Sequence, residues 1–278
     1  VIRLVAVDID DTLLNGEFRI SEENLRAVRE TVASGVVVTL ATGRMYCSAR
    51  PFAKQLSLDD AQPMITYNGA MTKTVGGQLL HHIPLRRDVV LDAVALAEQH
   101  GWTLNLYYED KLYVAGMNDH VRYYEQLAGV AAHEVGSLGA FVKDGNGEIS
   151  KMLLVGDTDD TARRLPIVQE HLRARAEVVR SKGKFIEITD PQATKGVALA
   201  RVADELGISA EEVMAIGDSG NDVSMLRFAG VGVAVGNAQT VAREAAAFVT
   251  AGHDQSGVAA ALRRFCKLPS GAARELGQ

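Results

Sequence analysis

Two cysteines in 278 residues, Cys47 and Cys266, are too few and too far apart to build a disulfide framework, and they match no metal-ligand spacing. Both read as free thiols. No apolar run approaches the ~20 residues that span a bilayer, and the N-terminal stretch lacks the basic, apolar and small-residue succession of a signal peptide. A cytoplasmic location with no membrane partner is the resulting expectation. Basic residues are not concentrated anywhere: 29 Lys and Arg are outnumbered by 35 Asp and Glu, for a net charge of -6. Nucleic acids and anionic membranes need a field of Lys and Arg, so neither is expected, and an anionic ligand must be met by local charge. Also missing are a repeat of solenoid period, a Walker loop and a dinucleotide fingerprint. Gly230-Val231-Gly232 lacks the required spacing and lies in a strand-like apolar run.

What is present suits a globular enzyme. Hydrophobic residues make up 47% and charged residues 23%, enough for an ample core without staples. At roughly 100 to 200 residues per domain, the length fits a core domain with one inserted domain. Arg3 to Ile9, Val36 to Ala41, Met64 to Tyr67, Val213 to Ile216 and Val231 to Val235 read as buried strands of a parallel sheet, and the first two flank a helix opened by the good N-cap Ser21. Between about 84 and 188 the rhythm changes to two helix-strand-strand passages, the signature of an α+β sheet with helices on one face. The expected architecture is therefore α/β: a Rossmann-like core from residues 1–83 and 189–278, with an inserted α+β domain at 84–188.

The chemistry concentrates where the expected core strands end. Asp8-Ile9-Asp10-Asp11-Thr12-Leu13 follows the first strand, and ligands of open α/β sheets bind outside the carboxyl ends of strands. Asp8 and Asp10 can both project into one crevice there. An isolated Asp-x-Asp more often caps a turn, but further segments fall on the same rim. Thr42-Gly43-Arg44 follows the second strand, Lys195-Gly196 opens the helix after the insertion, and Gly217-Asp218-Ser219-Gly220-Asn221-Asp222 follows a later core strand. Singly, each has a bland reading as a cap, a solvated charge or a turn former. Jointly they supply a nucleophile, a proton carrier, a metal site, a hydroxyl with backbone N–H groups and a fixed cation, which is what phosphoryl transfer requires.

This set resembles the haloacid dehalogenase (HAD) superfamily, specifically its Cof-type subfamily IIB phosphatases with a type C2B cap. Tyr67-Asn68-Gly69-Ala70 and Val235-Gly236-Asn237-Ala238 are similar to that group too. The resemblance implies a phosphatase acting on small phosphorylated metabolites, sugar phosphates first, through an aspartyl-phosphate on Asp8. It implies Asp10 as proton carrier, phosphate contacts from Ile9, Thr42, Gly43, Lys195 and Asn221, and a Mg²⁺ site from Asp8, Asp10 (by its carbonyl) and Asp218. Asp222 is either a direct ligand or an outer partner. Counter-charge is compulsory in any case, since two unit charges ~4 Å apart at an effective dielectric of about 20 repel by roughly 4 kcal/mol. The rivals are a phosphomutase of the same superfamily and a receiver-like phospho-acceptor switch. The latter would place its acceptor after a central strand of a much shorter chain.

Other signals point away from function. Asp144-Gly145-Asn146-Gly147-Glu148 lacks the Gly and the Glu of a calcium loop and reads as a hairpin turn. Adjacent His81 and His82 on an extended segment face opposite ways, which disfavours paired ligation. Trp102, Tyr107, Tyr108 and Tyr113 read as core packing of the insertion.

Overall fold

A computed structural model describes residues 1–145, 148–181 and 183–266. The first stretch runs β1 (Leu4–Val7), α1 (Glu22–Ala33), β2 (Val37–Ala41), α2 (Tyr46–Gln55), β3 (Pro63–Thr66), β4 (Met71–Thr74) and β5 (Leu79–His82). The middle adds α3 (Arg87–His100), β6 (Thr103–Tyr108), β7 (Lys111–Val114), α4 (Asp119–Ala128), β8 (Ala132–Glu134), α5 (Leu138–Lys143), β9 (Lys151–Val155), α6 (Thr158–His171), β10 (Glu177–Ser181) and β11 (Phe185–Thr189). The last stretch is α7 (Lys195–Glu205), β12 (Val213–Gly217), α8 (Val223–Phe228), β13 (Val231–Ala234), α9 (Thr240–Ala245), β14 (Phe248–Val249) and α10 (Gly257–Phe265). Two compact units result: Val1–Gly43, Ala49–Leu80 and Thr194–Gln278 in one, Arg44–Ser48 and His81–Ala193 in the other. Among the described residues no helix is long and apolar enough to cross a membrane.

The first unit is built on an eight-stranded sheet in the order β14-β13-β12-β1-β2-β3-β4-β5. From β14 to β3 all neighbours are parallel, and β4 turns back antiparallel to β3. The central strands are buried on both faces, which is why Leu4-Val5-Ala6-Val7 shows no alternation. Register places Val7 beside Ile216 on one side and Leu40 on the other, with Leu40 beside Met64. Since neighbouring strands lie about 4.8 Å apart, the residues that leave β12, β1, β2 and β3 emerge side by side on one rim.

Helix α1 shows how a polar residue serves this core. Ser21 caps it by accepting from Asn24 N, and Leu25, Ala27, Val28 and Thr31 form its buried face. Asn24 is buried there as well: its Nδ2 donates to Leu13 O at 3.2 Å and its Oδ1 accepts from Ala259 N at 2.9 Å. Ala259 N lies in the first turn of α10, where no intrahelical acceptor exists. Asn24→Ala therefore strands two buried backbone groups at once. A loss of about 2–4 kcal/mol in urea unfolding is expected, and a loss below about 0.5 kcal/mol would show that water takes over both bonds.

The second unit has a six-stranded sheet, β10-β11-β9-β6-β7-β8, antiparallel except for the β7–β8 pair. Val89 and Val94 of α3, Leu138 and Val142 of α5, and Val168 and Leu172 of α6 pack with Leu104, Met152 and Ile186 of the sheet into one apolar cluster. Trp102, Tyr108 and Tyr113 pack against that cluster and Tyr107 is fully buried, in line with a packing role. Two short elements, β8 and α5, occupy a stretch with no readable periodicity. The hairpin expected at 144–148 is corrected in part: Asp144 ends helix α5 rather than a strand, and Asn146 and Gly147 lie outside the described residues. Both cysteines are free thiols, and His82 Nε2 pairs with Ser150 Oγ at 2.9 Å.

Candidate active site

Asp8 continues the line of β1, its N–H donating to Ile216 O at 3.0 Å. The chain then coils into a wide turn closed by Leu13 N to Asp8 O and Leu14 N to Ile9 O. Within it Asp10 is extended and half-buried, whereas Asp11 is exposed and left-handed at φ 56°. At the end of β2, Thr42 is 1% exposed; its N–H donates to Ile65 O, and its carbonyl accepts from Asn68 N.

The strand expected over Met64 to Tyr67 stops at Thr66. Tyr67, Asn68 and Gly69 all take positive φ, turning the chain sharply back into β4. Gly69 is obligatory there: at φ +104° a Cβ would lie 2.3 Å from Thr194 O. This close approach seats the turn against the start of α7, which Thr194 caps by accepting from Val197 N. Lys195 is the first residue of that helix and is 0% exposed.

Lys195 Nζ donates to Asp8 Oδ1 and to Asp222 Oδ1, each at 2.6 Å. The other oxygen of Asp222 accepts from Asp218 N at 2.9 Å and Ser219 N at 3.0 Å. Asp218 Oδ1 accepts from Thr12 Oγ1 at 3.2 Å. The carboxylates of Asp8, Asp218 and Asp222, all buried, offer oxygens within 4.8 Å of one another, a spacing that can hold a metal ion. Asn221 sits on the exposed edge of this loop and donates to Asn68 Oδ1 at 2.9 Å.

Charge crowding shows in the acidities. Burial pushes the Asp8 carboxyl well above its usual range; Lys195 opposes this, and Asp222 and Asp218 add to it. Asp218 is raised to about 7, first by burial and then by Asp222, against the pull of Lys195. Burial works against the Lys195 ammonium, yet Asp222 and Asp8 outweigh it and its pKa rises. The lysine stays charged while Asp8 and Asp218 hold protons more tightly than in water, as expected where buried carboxylates outnumber the cation beside them.

Of the residues singled out in the sequence, Asp8, Lys195, Asp218 and Asp222 form one cluster. Thr42 leaves the strand beside Asp8, joined through its carbonyl to Asn68, which in turn bonds Asn221. Asp10 is in the adjoining turn and outside the carboxylate group. Three contributors had no role assigned from sequence. Thr12 reaches Asp218, Asn68 links the β3 turn to the Asp222 loop, and Ser224 Oγ receives Gly196 N at 3.0 Å. Local signals existed for two of them: Thr12 stands in the Asp-rich run after the first strand, and Asn before Gly favours the left-handed conformation that Asn68 adopts.

Known proteins are similar to this chain over nearly its whole length. The profile of haloacid dehalogenase-like hydrolases matches residues 5–262. A 5-amino-6-(5-phospho-D-ribitylamino)uracil phosphatase of Bacillus subtilis, YcsE, is 32% identical over 264 residues, covering 95% of this chain and 96% of its own. The phosphoglycolate phosphatase of Methanothermobacter thermautotrophicus is also 32% identical, with 95% and 98% covered. Among solved structures, a haloacid dehalogenase-like hydrolase from Bacteroides thetaiotaomicron superposes with a TM-score of 0.86 at 28% identity, covering 95% of this chain and 99% of that one. The subclass IIB sugar phosphatase BT4131 gives 0.79 at 27% identity, with 95% and 99% covered. With the strand order, the rim and the matched span in agreement, the chain belongs to the haloacid dehalogenase-like hydrolase family.

Proposed function

We propose that this enzyme is a Mg²⁺-dependent phosphatase of small phosphorylated polyols, sugar phosphates foremost, working through a phosphoryl group carried on Asp8. One observation carries the reading: the buried carboxylates of Asp8, Asp218 and Asp222 offer oxygens within 4.8 Å of one another, and the Lys195 ammonium bonds two of the three, Asp8 and Asp222. Hard oxygen donors with excess negative charge fit a small divalent cation. Asp8, Asp218 and the Asp10 carbonyl would hold it. Asp222, with one oxygen on Lys195 and the other on two backbone N–H groups, serves better as an outer partner that aims them. When bound, the ion supplies the positive charge that lets a carboxylate approach a phosphate dianion.

In the first half-reaction an Asp8 oxygen attacks phosphorus, the phosphorus–alkoxide bond breaks, and Asp10 gives its proton to the departing alkoxide. In the second, Asp10 takes a proton from water as that water's oxygen attacks phosphorus. The bond to Asp8 breaks, releasing inorganic phosphate and restoring the carboxylate. Lys195 would neutralise charge on the transferring group, and Thr42 with the N–H groups of Ile9 and Gly43 would bind its oxygens. Asn221, fixed on Asn68, would hold the phosphate from the loop edge.

Relatives support the substrate class. Their names include a sugar phosphatase and phosphatases of a ribityl phosphate, both of which act on a polyhydroxylated chain bearing a phosphomonoester. The test is phosphate release from a panel of sugar, sugar-alcohol and short carboxylic acid phosphates with Mg²⁺, comparing the intact chain with Asp8→Ala. Release confined to the intact chain supports the reading. Movement of phosphate between positions of one substrate, primed by a bisphosphate, would instead make it a mutase.

The acidities predict a pH signature. A carboxyl whose folded pKa is raised binds protons more tightly when folded, so metal-free stability falls as pH climbs from about 4 to about 7. Asp218, raised to about 7, defines that window, and Asp8, pushed well above its usual range by burial, acts in the same direction. A cation displaces the same protons, so its apparent affinity should weaken about tenfold per pH unit below about 7. Thermal melts with and without Mg²⁺ should show a larger gain in Tm at pH 7.5 than at pH 5.5. An equal gain at both would mean that the ion does not compete for these carboxyls.

A further inference from the structure

Among the described residues, no strand pairs with the wide turn that carries Asp10. Asp11 within it takes φ 56°, a conformation that non-glycine residues keep only when their surroundings impose it. Beside the bonds of Thr12 to Asp218 and of Asn24 to Leu13 O, the turn is held by the segment after β13, Gly236-Asn237-Ala238-Gln239, to which the reaction above gives no task. Asn237 Nδ2 donates to Asp11 O at 2.8 Å, and its Oδ1 accepts from His253 N at 2.9 Å. Two residues on, Gln239 N donates to Asp218 O at 2.7 Å, while Val235 N donates to Gly217 O at 3.1 Å. One short loop thus grips the turn of Asp10 with a side chain and the Asp218 loop with its backbone.

The loop is itself anchored. Gly236 N donates to Ala251 O at 3.0 Å, and a Cβ at Gly236 would lie 2.7 Å from Gly252 N, so the segment lies directly against residues 251–252. Arg243 donates to Ala238 O at 2.9 Å and also to Gly236 O. From the same side His253 Nδ1 bonds Leu14 O at 3.0 Å and Asp254 Oδ1 accepts from Gly16 N at 2.9 Å, holding the exit of the nucleophile turn against this corner.

We infer that Asn237 is a positioning residue for the divalent ion: it fixes the distance between the Asp10 carbonyl and the Asp218 carboxylate, and so sets the metal affinity. The inference rests on the metal-dependent reading above. It assigns Asn237 no contact with substrate and no proton to move. Partners that orient metal ligands typically change affinity by about 10- to 100-fold when removed. Asn237 is exposed, so the lower end of that range applies.

The test is direct Mn²⁺ binding, followed by the loss of the free-ion EPR signal, for the intact chain, Asn237→Ala and Asp218→Asn. Tm in chelator and kcat against Mg²⁺ concentration are measured alongside. Asn237→Ala should raise the Kd for Mn²⁺ and the Mg²⁺ activation constant about tenfold, with kcat at saturating Mg²⁺ within about twofold and Tm in chelator nearly unchanged. A lowered Tm in chelator with an unaltered Kd would make Asn237 merely structural and overturn the inference alone, provided that Asp218→Asn abolishes binding. Failure of the intact chain to bind Mn²⁺ would overturn the inference together with the reading beneath it.

Discussion

Asp8→Asn is expected to lower phosphate release by at least about 10³-fold while the fold stays intact. Asparagine has the same shape but no anionic oxygen to attack phosphorus. Few neighbours are disturbed, because Lys195 keeps its bond to Asp222 at 2.6 Å. Thermodynamically the change should help: Asp8 is 5% exposed and its carboxyl is pushed well above the usual range by burial, so a neutral side chain there removes a desolvation cost. The Tm of the variant in chelator at pH 7.5 should therefore equal or exceed that of the intact chain. Rapid acid quench with a ³²P-labelled substrate should trap label on the intact chain and none on the variant. Label retained by Asp8→Asn would move the nucleophile elsewhere.

That prediction could be framed from the sequence because the residues it needs lie where β-branched runs stop. Val7, Ala41 and Gly217 end three parallel strands, and the step to Asp8, Thr42 or Asp218 marks each end. Strand adjacency did the rest: with β12, β1 and β2 side by side, the Asp218, Asp8 and Thr42 positions emerge together. Less legible were β4 and β5, where Lys73 and two half-buried histidines break the apolar pattern. The three-residue β8 is half exposed and too short for any periodicity to show.

Contacts between distant side chains were also hidden, for a different reason. That Thr12 bonds Asp218, that Asn68 bonds Asn221, and that Asn237 bonds the Asp11 carbonyl depends on loop paths across 206, 153 and 226 residues of sequence. Composition and spacing carry no trace of such paths. The same holds for Asp222, whose engagement of both oxygens, one on Lys195 and one on two backbone N–H groups, no sequence pattern announces. Local pattern places the chemistry on the rim, and tertiary hydrogen bonding decides how each group is aimed.

Lys195→Met should cost both rate and stability, and the two losses should respond differently to a second change. Methionine replaces the stem of a fully buried side chain at similar volume and removes its charge. Asp8 and Asp222 then lose the partner that each holds at 2.6 Å, leaving buried carboxylates uncompensated, a defect worth about 3–5 kcal/mol. Because the Asp8 carboxyl, already raised by burial, would rise further without the lysine, the penalty should be larger at pH 7.5 than at pH 5, where protons relieve it. Turnover should fall at least about 10²-fold, as when a fixed donor to the transferring group is removed. Adding Asp222→Asn takes one negative charge away and should recover much of the stability in metal-free urea unfolding, yet none of the rate. If the double variant regained turnover, Lys195 would serve only to hold Asp222 in place; if Lys195→Met matched the intact chain in stability at pH 7.5, the buried pairings would not contribute to the fold.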